Sequence, residues 1–288
     1  MMKTNRDKLV KISVQGGIHH PLGGTARITA EGKVVALPAI GGITYNVKVG
    51  DAIFGLVGDH IEPCVSIKNS EPGESDALNV FSCIGNRARV VSGKAEGAVG
   101  YVTGIHGGCE HVIIHFPEET LEKLKVNDEI LVEAYGQGLK IEECPEITVQ
   151  SLDPDLLESM NIEVNEQGEM TLPVAAVIPS YLMGSGLGAG HSYSGDYDLM
   201  TADSEAVKEN GLQNLRFGDI VLIEDSDNTF GRGYLKGSRT VGIVIHGDCI
   251  AHGHGPGITT VLVTKKPIIH GVLDSKANIA DFIFSRSY

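Results

Sequence analysis

"VGIVIHGDCIAHGHGPGITTVLV", Val241 to Val263, is two β-branched runs separated by a break rich in glycine and histidine. Runs of this kind closed by glycine-containing turns read as short strands. The pattern extends outward through the chain. "LVKISVQGG", "ARITAEGKVVALPAIGG", "ITYNVKVGDAIFGLVG" and "ARVVSGKAEGAVGYVTG" predict strands in the first half, and "DIVLIED", "TVGIVIHGD" and "ITTVLVTKK" in the second. Short helices are expected after Pro117, over Leu156–Met160 and near "DSEAVKENGL". The fold class is therefore mainly β, a β-rich α+β chain of two related barrel- or sandwich-like halves with a few short helices. An acidic, glycine-poor stretch between about Lys140 and Glu169 separates them, giving domains 1–142 and 143–288.

The halves echo each other. "VGYVTGIHGGCEHVIIHF" (Val99–Phe116) repeats the Ile-His-Gly-x-Cys of the opening segment, and "VGDAIFGLVGDH" (Val49–His60) resembles "FGDIVLIEDSDN" (Phe217–Asn228). The order is the same in both halves, but 56 residues separate Gly50 from His106 and 28 separate Gly218 from His246. Duplication and chance matching between glycine-rich β segments both stay open. Two β domains face to face would build a cleft, where sites tend to lie.

Composition narrows the function. With 37 glycines in 288 residues, the chain holds far more than the average of ~7% and has no collagen period. A net charge of −14 opposes nucleic-acid binding, and "RGYLKGSR" (Arg232–Arg239) is too small a basic cluster to reverse it. No apolar run approaches the ~20 residues of a membrane span. The N-terminus lacks a signal-peptide core, and five scattered cysteines without a CxxC pair suit reduced thiols, so a cytoplasmic location is expected.

The opening segment carries the strongest chemical signal. His246, Asp248, His252 and His254 are four ligand-type side chains within nine residues. In an extended chain His246 and Asp248 share a face, as do His252 and His254. Imidazole and carboxylate suit Zn²⁺, Fe²⁺ or Mn²⁺, and an open coordination position would activate water. The bland reading is a set of turn histidines bonded to exposed backbone. The first copy keeps His106, His111 and His115 but has Gly108 where Asp248 stands, so it is structural or lends one ligand to a shared site. Asp225 and Asp227, Asp196 and Asp198, and His60 with Glu62 are further spaced pairs that could complete a ligand shell or act as base. Each also reads as solvated turn residues.

"MGSGLGAG" (Met183–Gly190) fits the dinucleotide fingerprint only formally, because no helix or distant acidic residue follows as the motif needs, and no nucleotide is expected. Its amides, at Gly186 and Gly188, could still hold an anion, as could Arg232. Cys249 lies three residues from both His246 and His252, but it points away from His246 if the segment is extended and reads as an inert thiol.

Taken together, "GDHIEPCVSI", "MGSGLGAG…GDYD", "FGDIVLIEDSDN…GRGY" and "HGDCIAHGHGPG" resemble an uncharacterised family of conserved bacterial proteins, a domain of unknown function, over most of both halves. That resemblance implies a single ancient unit and no reaction. A weaker similarity, over Ile245–Gly257, is to the acetamidase/formamidase family, which implies metal-assisted amide hydrolysis. The expected function is metal-assisted hydrolysis, or a lyase reaction, on a small polar metabolite such as an amide. His246, Asp248, His252 and His254 would hold the metal. Asp225, Asp227 or His60 would act in catalysis, and Arg232, Gly186 and Gly188 would bind substrate. The alternative is a non-catalytic module that binds a small molecule or forms a homo-oligomer. A third reading makes Cys249 a nucleophile.

Overall fold

A computed structural model of the protein describes residues 2–22 and 26–286. The first half contains β1 (Ile12–Ile18), a small hairpin of β2 (Arg27–Ile28) and β3 (Val34–Val35), and β4 (Ile43–Thr44). β5 (Cys64–Lys68), β6 (Arg87–Val90), β7 (Val99–His106), β8 (His111–His115) and β9 (Glu129–Ala134) follow. The sheet runs β1-β9-β6-β7-β8-β5-β4, and β1 also pairs with β5 through Gly17↔Lys68 and Ile18↔Ile67. That second pairing closes six antiparallel strands into a barrel, which removes the unpaired edges an open sheet would present. Inward residues alternate along β9, where Ile130, Val132 and Ala134 are buried, and along β6, where Ala88 and Val90 are buried. With Val65, Ile67, Val102, Val112, Ile114 and Phe116, all of these but Ala134 form the barrel core.

The second half is built differently. Its larger sheet runs β10 (Thr148–Val149), β17 (Gly257–Thr264), β16 (Gly233–Val244), β15 (Ile220–Asp227), β13 (Ala176–Pro179), and β14 (Tyr197–Asp198) adds to the other end of β17. A smaller sheet holds β11 (Glu163–Val164), β12 (Met170–Val174) and β18 (Ile269–Leu273), with β12 and β18 parallel. Every residue of β7 but its first, and every residue of β17, is buried, because the two strands meet where the halves join. There the Thr259 hydroxyl donates to the Ile105 carbonyl at 3.0 Å. Gly104 leaves room for Ile245, whose Cβ would stand 2.5 Å from a methyl added there. One core therefore runs through both halves, joining Ile84, Tyr101 and Ile113 to Leu222, Val241, Ile243 and Val261.

Gly-Asp punctuation has a local cause. Lys48-Val49-Gly50-Asp51, Lys125-Val126-Asn127-Asp128 and Arg216-Phe217-Gly218-Asp219 are three copies of one turn. In each, the aspartate carboxylate accepts from the backbone N–H three residues back, at 2.9, 2.9 and 2.7 Å. The third residue has positive φ (93°, 72° and 86°), as a type II turn requires. Glycine or asparagine fits there and a β-branched residue would not.

Several expected elements form, with α2 (Glu118–Leu121) after Pro117, α3 (Pro154–Ser159) capped by Asp153, and α4 (Ser204–Glu209) capped by Asp203. Others differ. "ITYNVKVGDAIFGLVG" yields only β4. Beyond it the backbone bonds across to the second half, with Gly50 N–H to Phe217 O at 2.8 Å and Phe217 N–H to Asp51 O at 2.9 Å. The two Gly-Asp echoes thus meet each other rather than occupying matching strands. α1 (Pro72–Phe81) and α5 (Ala280–Ser285) lie in "EPGESDALNVF" and "ADFIFS", where no helix was expected. All five cysteines are free, and no helix among the described residues is long and apolar enough to cross a membrane.

Candidate metal centre

The two Ile-His-Gly-x-Cys segments bring their first histidines together. His106 ends β7 and His246 follows β16 by two residues, and their rings stack with centroids 4.2 Å apart. Asp196, just before β14, joins them, and ligand atoms of His106, Asp196 and His246 all lie within 4.8 Å of one another. All three residues are buried. Tetrahedral Zn²⁺ with ligands at about 2.0–2.2 Å needs donors roughly 3.3 Å apart, a contraction small side-chain movements supply.

Each of these side chains is held from behind. His106 directs Nδ1 to Glu62 at 2.5 Å, which leaves its Nε2 for the cavity. Such a carboxylate–imidazole pair is the usual support of a metal-bound histidine. His246 donates Nδ1–H to the Gly247 carbonyl at 2.9 Å and turns Nε2 to Asp196 Oδ2 at 2.9 Å. Asp196 Oδ1 accepts from the Gly107 amide at 2.8 Å, an approach that needs the bare Cα–Cα packing of Gly107 on Gly195. Gly257, the first residue of β17, lies directly beneath, and a Cβ there would run into Asp196 Oδ2 and His246 Nε2. The backbone is hollowed for these two groups, and the donor set is the imidazole–carboxylate mixture that Zn²⁺, Fe²⁺ or Mn²⁺ takes.

A second layer surrounds this triad. Asp198 lies 3.8 Å from His246 Nε2 through Oδ1, while its Oδ2 is 3.0 Å from His254 Nδ1 and 3.8 Å from His60 Nε2. His60 adopts φ 52°, a left-handed conformation that costs a non-glycine residue energy, and its N–H bonds to the Asp248 carbonyl at 3.0 Å. Its Nδ1 lies 3.2 Å from Asp59 Oδ1.

Charge explains the protonation pattern. Burial opposes an imidazolium at His60, but the carboxylates of Asp198 and Asp59 overcome it and raise the pKa to about 11. Burial likewise opposes charge on His111, and Glu62 raises it to about 9. His106 is also shifted well upward against burial, by Asp196 and neighbouring groups. Glu62 and Asp196, which burial alone would neutralise, are held well below the usual carboxylate range by these imidazoles.

His60, His106, Asp196, Asp198 and His254 line one wall of a cavity of about 770 Å³ between the halves. Its other walls include Arg232, Gly186, Ser194, Gly195 and His191. Arg232 is 7% exposed; its Nη2 donates to the Ser194 carbonyl at 3.2 Å and its buried Nε has no partner.

Among residues singled out from sequence, the fold gathers His60, His106, Asp196, Asp198, His254, Arg232 and Gly186 at this cavity, with His246 grouped behind with His106 and Asp196. It sets Asp248, His252, Asp225, Asp227 and Gly188 elsewhere. Residues 245–256 are irregular, not extended, so the same-face argument does not apply. Asp248 accepts from the Thr201 hydroxyl at 2.5 Å and the Cys249 amide at 2.8 Å. His252 is exposed, with Nε2 3.1 Å from the Ala30 carbonyl. Asp225 binds the Gly237 amide at 2.7 Å, Asp227 binds Thr229 at 3.0 Å, and neither they nor Gly188 line the cavity. His106, Asp196 and Asp198 take the central places. Glu62 stands behind His106, a role its two-residue spacing from His60 does not reveal.

The geometry defines a β-rich protein with a buried histidine–carboxylate centre at the junction of its halves. The chain belongs to the family described as Domain of unknown function (DUF4438), whose N-terminal model matches residues 26–158 and whose C-terminal model matches residues 159–283. It is similar to a solved protein, described as the crystal structure of TM1086, at 45% identity and a TM-score of 0.94, over 98% of this chain and 99% of that one. No curated protein matches. The uncharacterised family expected from sequence is thus found, whereas the acetamidase/formamidase similarity receives no support.

Proposed function

We propose that the protein binds a divalent metal ion through His106, Asp196 and His246 and hydrolyses a small polar metabolite in the adjoining cavity. The observation that carries this reading is the convergence of two buried imidazoles and a buried carboxylate on one point, over a glycine that leaves them room. Three protein ligands leave coordination positions for water and substrate, as in catalytic rather than structural sites. A bound ion would supply a Lewis acid and a water of lowered pKa. The chain supplies the rest. Asp198 and His254, 3.0 Å apart, stand at the cavity edge where a proton must be taken up and returned. Arg232 offers unused N–H capacity to an anionic substrate group, beside the Gly186 loop.

Elemental analysis of protein purified without chelator tests the reading. The expected result is at least one transition-metal ion per chain, with one ion fewer in His246→Ala. A metal-free wild-type protein that also fails to take up Zn²⁺ or Mn²⁺ on addition overturns it and leaves the non-catalytic binding module.

A further inference from the structure

We infer that this centre takes two divalent ions, the second held by His60 and His254 with Asp198 as the carboxylate shared between them. The inference rests on the reading above, adds to it a position that the His106–Asp196–His246 triad does not occupy, and makes Asp198 and His254 ligands in place of the proton-handling role they have beside a single ion.

Four observations carry it. First, Asp198 presents its two oxygens to different partners, with Oδ1 toward His246 and Oδ2 toward His254 and His60. A carboxylate so placed bridges two ions, which in two-metal hydrolytic sites stand about 3.5–4 Å apart. Second, His60 resembles His106 in having Nδ1 beside a buried carboxylate, Asp59 at 3.2 Å and Glu62 at 2.5 Å, and in keeping Nε2 for the centre. The His60–Asp59 contact lacks hydrogen-bond geometry, which leaves a buried ring nitrogen at His60 unpartnered.

Third, ligand atoms of His60, Cys249 and His254 lie within 4.8 Å of one another, separate from the first triad, while the His60 ring is 5.0 Å from that of His246 and 5.4 Å from that of His254. Fourth, carboxylates are dense around both positions. Asp59, Glu62, Asp196 and Asp198 are all buried there. Arg27, 3.3 Å from Asp59, and Arg232 then add positive charge for an anionic substrate.

The strained backbone of His60 fits the same purpose, since it sets this imidazole against the centre rather than in the solvent.

Chelator-stripped protein titrated with Mn²⁺, reading free ion by electron paramagnetic resonance, tests the inference directly. The wild type should bind two ions per chain, and the bound pair should give a broadened, spin-coupled signal. His254→Ala, chosen because that side chain is 41% exposed and its removal spares the core, and His60→Ala should each bind one ion with the uncoupled six-line signal. His246→Ala should lose the first ion. One ion in the wild type, unchanged in His60→Ala and His254→Ala, overturns the second position while leaving the proposed function intact. Two ions that persist in both variants refute these ligands. No ion in the wild type removes both readings.

Discussion

The two Ile-His-Gly-x-Cys hairpins begin alike and end differently. In the first, β7 turns into β8 within four residues, with Gly108 and Glu110 at positive φ, so His111 pairs directly opposite His106 in the ladder. Its second histidine is thereby folded behind the first, and both hold Glu62, at 2.9 Å from His111. In the second, twelve residues separate β16 from β17. His246 enters the core at once, His252 leaves for the surface, and His254 returns to Asp198. The strand-end histidine is the shared element, and connection length decides what its neighbour does. A tight turn makes a support, and a long one makes another face of the cavity.

The largest expected effects lie at what the hairpins share. His106→Ala and His246→Ala should each lose the ion held by the His106–Asp196–His246 triad. Gly257→Ala should do the same without removing any ligand, because its methyl occupies the space of Asp196 Oδ2 and His246 Nε2. Metal content measured beside thermal unfolding separates the outcomes. Retention of metal by Gly257→Ala would show that Asp196 and His246 are not held in the arrangement described.

A smaller effect should mark the support role in the first hairpin. His111→Ala and Glu62→Gln both leave the three ligands in place but loosen His106, and loss of such a partner typically costs about 10–100-fold in metal affinity. Equal losses in His111→Ala and His106→Ala would erase the distinction between the two histidines of this hairpin.

These differences also explain what could be read in the sequence. The β character and the family were legible, because period-two burial and repeated Gly-Asp turns are local properties. The barrel closure was not, since β1–β5 pairing joins residues some fifty positions apart. Nor was the grouping of His106, Asp196 and His246. Same-face spacing presumes an extended chain, and residues 245–256 are not one. Asp196 and His106 reach His246 only through tertiary pairings, β14 on β17 and β7 against β17. Asp225 and Asp227 showed the same spacing as Asp196 and Asp198, but local amides account for them.

His115, the third histidine of the first hairpin, sharpens the contrast through stability rather than metal. It lies at the far end of β8 with Cys64 Sγ 3.3 Å from Nδ1 and Phe284 against its ring, and burial with the Lys48 charge lowers its pKa to about 4. The unfolded chain takes up a proton near pH 6.5 and the folded one resists until about pH 4. Folding is therefore unaffected by this group above pH 6.5, and about 3 kcal/mol is lost as pH falls from there toward 4. Denaturant unfolding of wild type and His115→Gln across this window should show a shallower acid slope in the variant. Parallel slopes would mean that His115 is protonated in the folded protein too.

The smallest effect belongs to His252, and it is the most discriminating for the second hairpin. By spacing alone this residue is as good a ligand as His254, two positions on. In the fold it is exposed, and its one described contact is Nε2 against the Ala30 carbonyl. His252→Ala should change stability by less than about 0.5 kcal/mol, as surface substitutions do, and leave the number of bound ions at the wild-type value. Its neighbour His254→Ala should lose one. The pair reads the path of the loop directly, because only a chain that turns between Ala251 and His254, whose backbone closes that turn at 3.3 Å, sends adjacent same-face histidines to opposite sides. If His252→Ala instead lost the ion and His254→Ala kept it, the loop would run the other way in solution, and Asp198 would need a different partner.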